Sequence, residues 1–520
     1  MTVKEKKMGD SRTKNAIRNA YFGIISKIVN LLFAFISRTV FIYVLGNTYL
    51  GVNGLYSEIL SLLSFAELGF GSAMAFSMYK PAAENDRTMI VRLLDFYKTV
   101  YKIIAFVIAA LGLCLTPFLQ YIVKGADWLT VSELRAYFLV YLFNTVIGYF
   151  VTYRFTYLNA LQKNYIQTNI DSIVNVISYI AQVIAILVWK NFLLYLLINS
   201  AVLLISRLVI VVYLNKKYPI FNEKAEKPLS KEEKQPIYKE VRGLAIHQFS
   251  SVAVHSTDNI LISTMTSQGV TAVGLISNYN MLMNSVLGFV TTLFASVISG
   301  FGNLVAASTT ERFREVFKQV NFLSFWIYGF CSIAFWILIP PFVTLWIGAD
   351  KVIDNVTFTL IIINAYLQGQ GTAYNNARIA KGNFNKDKWW AVLQAMTNLV
   401  VSIVCAKYLG LVGIYIGTVV SRLVYVIFRP FSTYKFLFDE SSAEYYKKLL
   451  QYIVYVVIAA FATKFITTPI LNNGTIITFI LSVCVVCIVP NIIFFLLCMR
   501  LPEFKEGKKR VVALIKRKVG

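Results

Sequence analysis

The chain has 520 residues, is 57% hydrophobic and 15% charged, and carries a formal net charge of +24, with a mean hydropathy of +0.63. Apolar runs of this length and number exclude an ordinary water-soluble protein. The excess Lys and Arg lies between the runs, and no nucleotide loop, zinc spacing or aromatic RNA motif accompanies it, so it reads as a determinant of topology and a contact for anionic membrane lipid, not as a nucleic-acid surface.

In chain order, fourteen apolar runs of about 20 residues or more fall at 16–45, 49–79, 93–122, 132–157, 167–189, 192–214, 242–266, 272–307, 317–347, 352–377, 389–407, 411–434, 446–467 and 474–499. The first is too long for a cleavable signal and carries Lys27 and Arg38. Basic residues recur in alternate connections: Lys80, Arg87 and Arg92, then Arg154 and Lys163, then Lys216 through Arg242, Arg312 to Lys318, Arg378 to Lys388, and Arg429 to Lys448. The intervening connections hold single lysines such as Lys124, Lys190 and Lys351. This alternation places both termini and the 215–241 loop in the cytoplasm of a multi-pass cell-membrane protein. The basic tail from Lys505 to Lys518, interleaved with Val511, Val512, Leu514 and Ile515, is expected on the inner membrane surface. Pro117, Pro340, Pro341 and Pro469 are expected to end helices rather than hinge them. All six cysteines sit in apolar runs, and Cys484 and Cys487 read as packing, not metal or redox groups.

Ionisable residues inside the runs repeat. Lys27 and Arg38 are 11 residues apart, as are His247 and Asp258, and the two pairs are offset by 220. Eleven residues at ~100° each return to nearly the same helix face, about 16 Å along the axis. Stacked charges at membrane depth suggest a polar pathway between related halves. Further matches keep nearly the same offset: Gly54-Leu55-Tyr56-Ser57 with Gly274-Leu275-Ile276-Ser277, and Ser206-Arg207-Leu208-Val209 with Ser421-Arg422-Leu423-Val424. The expected fold is therefore all-α and polytopic, with about 14 transmembrane helices. Two six-helix lobes (1–214 and 242–435) are joined by the basic linker 215–241 and followed by a helix pair (446–499) and the tail 500–520. Glycines at 46, 51, 54, 69, 71, 300 and 302 mark flexible or closely packed places.

The segment Ser64-Phe-Ala-Glu-Leu-Gly-Phe-Gly-Ser-Ala-Met-Ala-Phe-Ser-Met-Tyr-Lys-Pro-Ala-Ala-Glu-Asn-Asp86 and the opening from Asn15 to Leu55 resemble polysaccharide flippases of Gram-positive bacteria. These belong to the multidrug/oligosaccharidyl-lipid/polysaccharide exporter superfamily. The resemblance spans the chain and is most specific over its first 90 residues. It implies transbilayer movement of undecaprenyl-diphosphate-linked glycan units for cell-surface polysaccharide; a glycan polymerase and other envelope-assembly proteins are candidate partners.

An anionic diphosphate calls for positive charge and hydrogen-bond donors, which Arg supplies together. The substrate-binding candidates are Lys27, Arg38, Arg207, Arg422 and Asn53. Glu58, His247 and Asp258 are candidates for coupling or gating. Against these stands an intramembrane salt bridge, such as Arg38 with Glu58 or Asp258. Arg207 and Arg422, at equivalent places in the repeat, fit a structural duty as well as substrate contact. The many Asn and the 31 Tyr suit sugar hydroxyls, and suit helix–helix bonds and interfacial belts equally. No catalytic constellation, cofactor or metal set is expected. A lipid II flippase for peptidoglycan and a cation-coupled multidrug exporter are the alternative readings.

Overall fold

The computed structural model describes the backbone of residues 3–67, 70–307, 309–381 and 388–519. Within these it describes all side chains except those of 3–20, 65, 66, 72, 243, 244, 246, 247, 251, 253, 255, 295–307, 433 and 511–519. Among the described residues there are helices and no strands, and the chain divides into two compact units, Met1–Gly274 and Leu275–Gly520.

The first unit contains α1 (Val3–Leu63), α2 (Phe70–Glu84), α3 (Arg87–Leu115), α4 (Leu119–Ile122), α5 (Val131–Ala160), α6 (Asn164–Trp189), α7 (Phe192–Lys217), α8 (Lys231–Met265) and the opening turn of α9 (Val270–Ala307). The second holds the rest of α9 with α10 (Thr310–Ile347), α11 (Asn355–Gln370), α12 (Thr372–Ala380), α13 (Lys388–Phe438), α14 (Ala443–Leu471), α15 (Ile476–Cys498) and α16 (Pro502–Val519).

Each expected apolar run coincides with one of these helices or with a broken pair. The break between runs 16–45 and 49–79 falls at Gly46 (φ 84°, ψ 176°), and that between 389–407 and 411–434 at Gly410 (φ 54°, ψ −125°). Both conformations lie in the region that only glycine enters without strain, so a single residue turns the chain. Pro117 sits in the short turn between α3 and α4. Pro340 and Pro341 do not end α10, which continues to Ile347, and Pro469 lies inside α14. In an apolar environment the alternative to helix is costlier than a lost bond, so proline is tolerated inside spans.

Among the described residues nine helices are long and apolar enough to cross a membrane. Their outward faces are apolar: Phe106 is 75% exposed and Phe465 is 84% exposed. A surface of this kind is suited to lipid and not to water.

In the first unit α1 packs along α6, α5 packs against α3 and α7, and α8 lies against α1. The tightest approach is between backbones. A Cβ placed on Gly51 of α1 would stand 1.8 Å from the Val270 carbonyl oxygen, and one on Gly274 would stand 2.0 Å from that of Asn47. Small residues at a helix crossing let main chains touch, which is the common device of membrane packing. The Thr48 and Thr271 hydroxyls bond beside this crossing at 2.9 Å. Nearby, Ser263 Oγ donates to the Ile122 carbonyl at 2.7 Å, and the Val270 amide donates to the Lys124 carbonyl at 2.7 Å.

The segment after α7 is strapped to the first turns of α3. Arg87 pairs with Glu223, and the Ala225 amide donates to Asp95 Oδ2 at 2.7 Å. Arg92 donates to Glu233 at 2.8 Å, and to the carbonyls of Lys227 at 3.2 Å and Pro228 at 3.1 Å. The Arg87 bond holds the Glu223 carboxyl below its usual range, and Arg92, with the Ser230 cap, does the same for Glu233. A depressed folded-state value means that the strap is fully present above the ordinary carboxylate pKa and is lost as pH falls through the depressed one. Hydrogen-exchange protection of amides 219–230 is therefore expected to hold from pH 8 to 5 and to fall below about pH 4. Glu223→Gln with Glu233→Gln should flatten that dependence; a native profile already flat through pH 3.5 would contradict it.

Candidate functional site

The polar groups of the first unit form two neighbouring levels. At the first, Arg38 of α1 lies within electrostatic reach of Tyr179 of α6 and Tyr195 of α7. Tyr195 in turn lies within electrostatic reach of Tyr141 of α5, and the Tyr141 hydroxyl donates to Asn53 Oδ1. The fold thus gathers two sequence candidates, Arg38 and Asn53, around a pair of tyrosines. The Phe41 ring meets that of Tyr195 edge to face, with centroids 5.1 Å apart.

One helical turn along α5 from Tyr141 is Thr145, which lines a cavity of about 680 Å³. That volume lies within the range of small-molecule sites. Its walls come from α2, α3, α5, α6 and α7 together with Glu67, which precedes α2. Phe76, Tyr79, Tyr101, Tyr149 and Phe155 give it aromatic faces, and Thr145, Thr152, Thr156, Asn159 and Gln167 give it neutral hydrogen-bonding groups. Its charged members are Glu67, Asp171 and Arg207. Tyr101 donates to Glu67 Oε1 at 3.4 Å, and Tyr149 bonds the same carboxyl. The rings of Tyr101 and Tyr149 stack with centroids 6.1 Å apart. Arg207 Nη1 lies 3.7 Å from Asp171 Oδ1.

Arg207, a sequence candidate, therefore lines the cavity, but as one half of an ion pair across α6 and α7. The intramembrane bridge weighed from sequence was Arg38 with Glu58 or Asp258; the bridge observed at the cavity is Arg207 with Asp171. Lys27 is exposed on α1, eleven positions before Arg38. Glu58 lies toward α8, where it bonds Ser256, and Asp258 is half-buried one turn further along α8 from His255. The side chain of His247 lies outside the described residues.

Arg422 belongs to the second unit. It is 5% exposed, donates from Nε to Asn364 Oδ1 at 2.9 Å, and lies 5.6 Å from the Tyr425 ring centroid. Arg429 approaches the same ring at 4.5 Å, and the Asn375 amide donates to the Tyr425 hydroxyl. These contacts knit α11, α12 and α13 together.

Sequence reasoning passed over Glu67, Tyr101 and Tyr149 as site residues. The available signal was Glu67 itself, an acid in an apolar run between glycine-rich stretches. The tyrosines carried none, because a phenol in a membrane helix reads equally as belt or bond. Among the described residues no group of three His, Cys, Asp or Glu is placed to hold a metal ion.

The helix order and packing match solved membrane transporters. The lipid II flippase MurJ in an inward closed conformation is similar with a TM-score of 0.63 at 14% identity, over 93% of this chain and 99% of that one. An inward-facing multidrug resistance MATE family transporter of the MOP superfamily is similar with a TM-score of 0.59 at 16% identity, over 80% of this chain and 97% of that one. A Vibrio cholerae MATE transporter gives a TM-score of 0.60 at 14% identity, over 83% and 98%.

The fold is the one these solved transporters share.

At these identities the likeness is one of fold. No family model matches the sequence, and no curated protein matches it. The matches cover 97–99% of each of these solved chains.

Proposed function

We propose that the protein is a flippase that moves undecaprenyl-diphosphate-linked oligosaccharide across the cell membrane by alternating access. The observation that carries this reading is the aromatic and hydroxyl-lined cavity inside the first unit of a MOP-type fold, adjoining the Arg38–tyrosine level. Aromatic faces with neutral donors and acceptors suit sugar rings, and a guanidinium suits a diphosphate. The lipid chain stays in the bilayer. The termini and the strapped segment after α7 face the cytoplasm in this proposal, on the support of the alternating basic connections. The two six-helix halves of the sequence repeat act as the moving lobes. Anionic lipid meets α16, whose first turn is fixed to the protein: Lys448 pairs with Glu503 at 2.9 Å, and Phe504 stacks on Trp326 at 6.1 Å.

A diphosphate carries roughly two negative charges, each worth about 2.3 kcal/mol per 100 mV of potential. With a negative interior, export runs down the potential, and a coupled cation is not required. The alternative is antiport through Glu58 or Asp258. Proteoliposomes with a potassium diffusion potential and no proton or sodium gradient should flip lipid-linked oligosaccharide outward faster as the potential grows. Indifference to potential together with dependence on an ion gradient would refute the electrogenic account. A lipid II flippase is the second reading, favoured by the extent of the match to MurJ. Flipping of lipid II in preference to other lipid-linked glycans in the same vesicles would establish it.

A further inference from the structure

The charge inventory of the first-unit cavity separates two tasks that the sequence had merged. Its ionisable lining has one more carboxyl than guanidinium: Glu67 and Asp171 against Arg207. The Arg207 charge is already matched, because its Nη1 lies 3.7 Å from Asp171 Oδ1. With the Arg207–Asp171 pair ionised, the lining is neutral when Glu67 is protonated and net negative when it is ionised. In neither state does the cavity present an uncompensated positive charge. Arg38, which lies at the adjoining level beside Tyr179 and Tyr195, is not among the residues that line it.

We infer that this cavity receives the glycan and not the diphosphate, and that it selects glycans without acidic sugars in the portion it encloses. The inference rests on the flippase reading above. The neutral side chains of the lining satisfy hydroxyl and acetamido groups, and the stacked Tyr101 and Tyr149 offer ring faces. A uronic-acid carboxylate placed there would lose water and meet Glu67 with no cation left to pair it. Discrimination of this kind comes from a charge left unpaired in the wrong ligand rather than from an added contact in the right one. The diphosphate is left to the Arg38 level.

The test uses the full chain in proteoliposomes at zero membrane potential, so that the extra charge of an acidic glycan is not itself driven. The probes are two polyprenyl-diphosphate disaccharides that differ only in a hexose or the corresponding hexuronic acid. The neutral compound is expected to flip at least tenfold faster. Glu67→Gln should bring the ratio of the two rates toward one, and Asp171→Asn, which releases Arg207, should lower it further or invert it. Equal native rates, or a ratio moved by neither variant, would overturn the selectivity while leaving the flippase reading in place. Failure of both compounds and of lipid II to flip would overturn the flippase reading, and the selectivity with it.

Discussion

Arg38→Ala is expected to lower flipping of a lipid-linked oligosaccharide by one to two orders of magnitude while the protein remains in the membrane at normal level. A hydrogen bond to a charged group is worth about 1.5–3 kcal/mol, and each 1.4 kcal/mol is about tenfold. Arg38 is well placed to supply such a bond, because it lies in the polar neighbourhood of Tyr179 and Tyr195 on two other helices. Arg38→Lys should recover only part of the rate, since an ammonium keeps the charge but lacks the planar fork that grips two phosphate oxygens. The measurement is flipping in proteoliposomes, normalised to inserted protein. Normal transport by Arg38→Ala would remove the diphosphate role. Loss of inserted protein in both variants would instead mark Arg38 as a packing group of the α1–α6–α7 junction.

Gly51→Ala should be nearly as damaging, by a different route. The added methyl group would meet the Val270 carbonyl, and no side-chain rotation relieves a clash with main chain. Overpacking typically costs about 1–3 kcal/mol, and here the α1–α9 crossing must separate. Detergent-solubilised protein should melt several degrees lower, and Gly51→Val should not accumulate. Gly274→Ala opens the same crossing from the other side. The double alanine variant should therefore cost less than the two singles added, because one separation accommodates both. Strict additivity in thermal melts would show that the two glycines act independently.

How far the sequence reached differs between fold and site. Span boundaries were legible where composition changes sharply or glycine intervenes: the runs that stop at 45 and 407 stop one and three residues short of the Gly46 and Gly410 turns. Helix starts were written as local chemistry too, with Thr130 and Glu133 capping α5 and Ser230 and Glu233 capping α8. The site was legible only as a list of residue types. Periodicity placed Lys27 and Arg38 on one face of α1, but it cannot say which acid a distant arginine will meet. Arg207 meets Asp171, 36 positions earlier on the neighbouring helix, and nothing local in either segment specifies that. The same holds for Gly51. Sequence flagged it as a place of close packing, while its partner, Gly274, was noted only as a repeat match to Gly54. The proline expectation failed for Pro340 and Pro341 because helix breaking is a rule learned in water, where a freed carbonyl has another partner.

The strap and the glycine crossing also bear on how the chain is made. Helix α8 and the first turn of α9 supply Ser263 to the Ile122 carbonyl, the Val270 amide to Lys124, and Gly274 to the surface of α1. A nascent chain that has emerged only as far as α7 holds every wall of the cavity but lacks these closing contacts. The first unit thus reaches its final form only when its last forty or so residues, counted from the Ser230 cap, have left the ribosome, and until then its insertion machinery must shelter an open helix bundle. Ribosome stalling placed before and after Gly274 should separate a protease-sensitive intermediate from a resistant one.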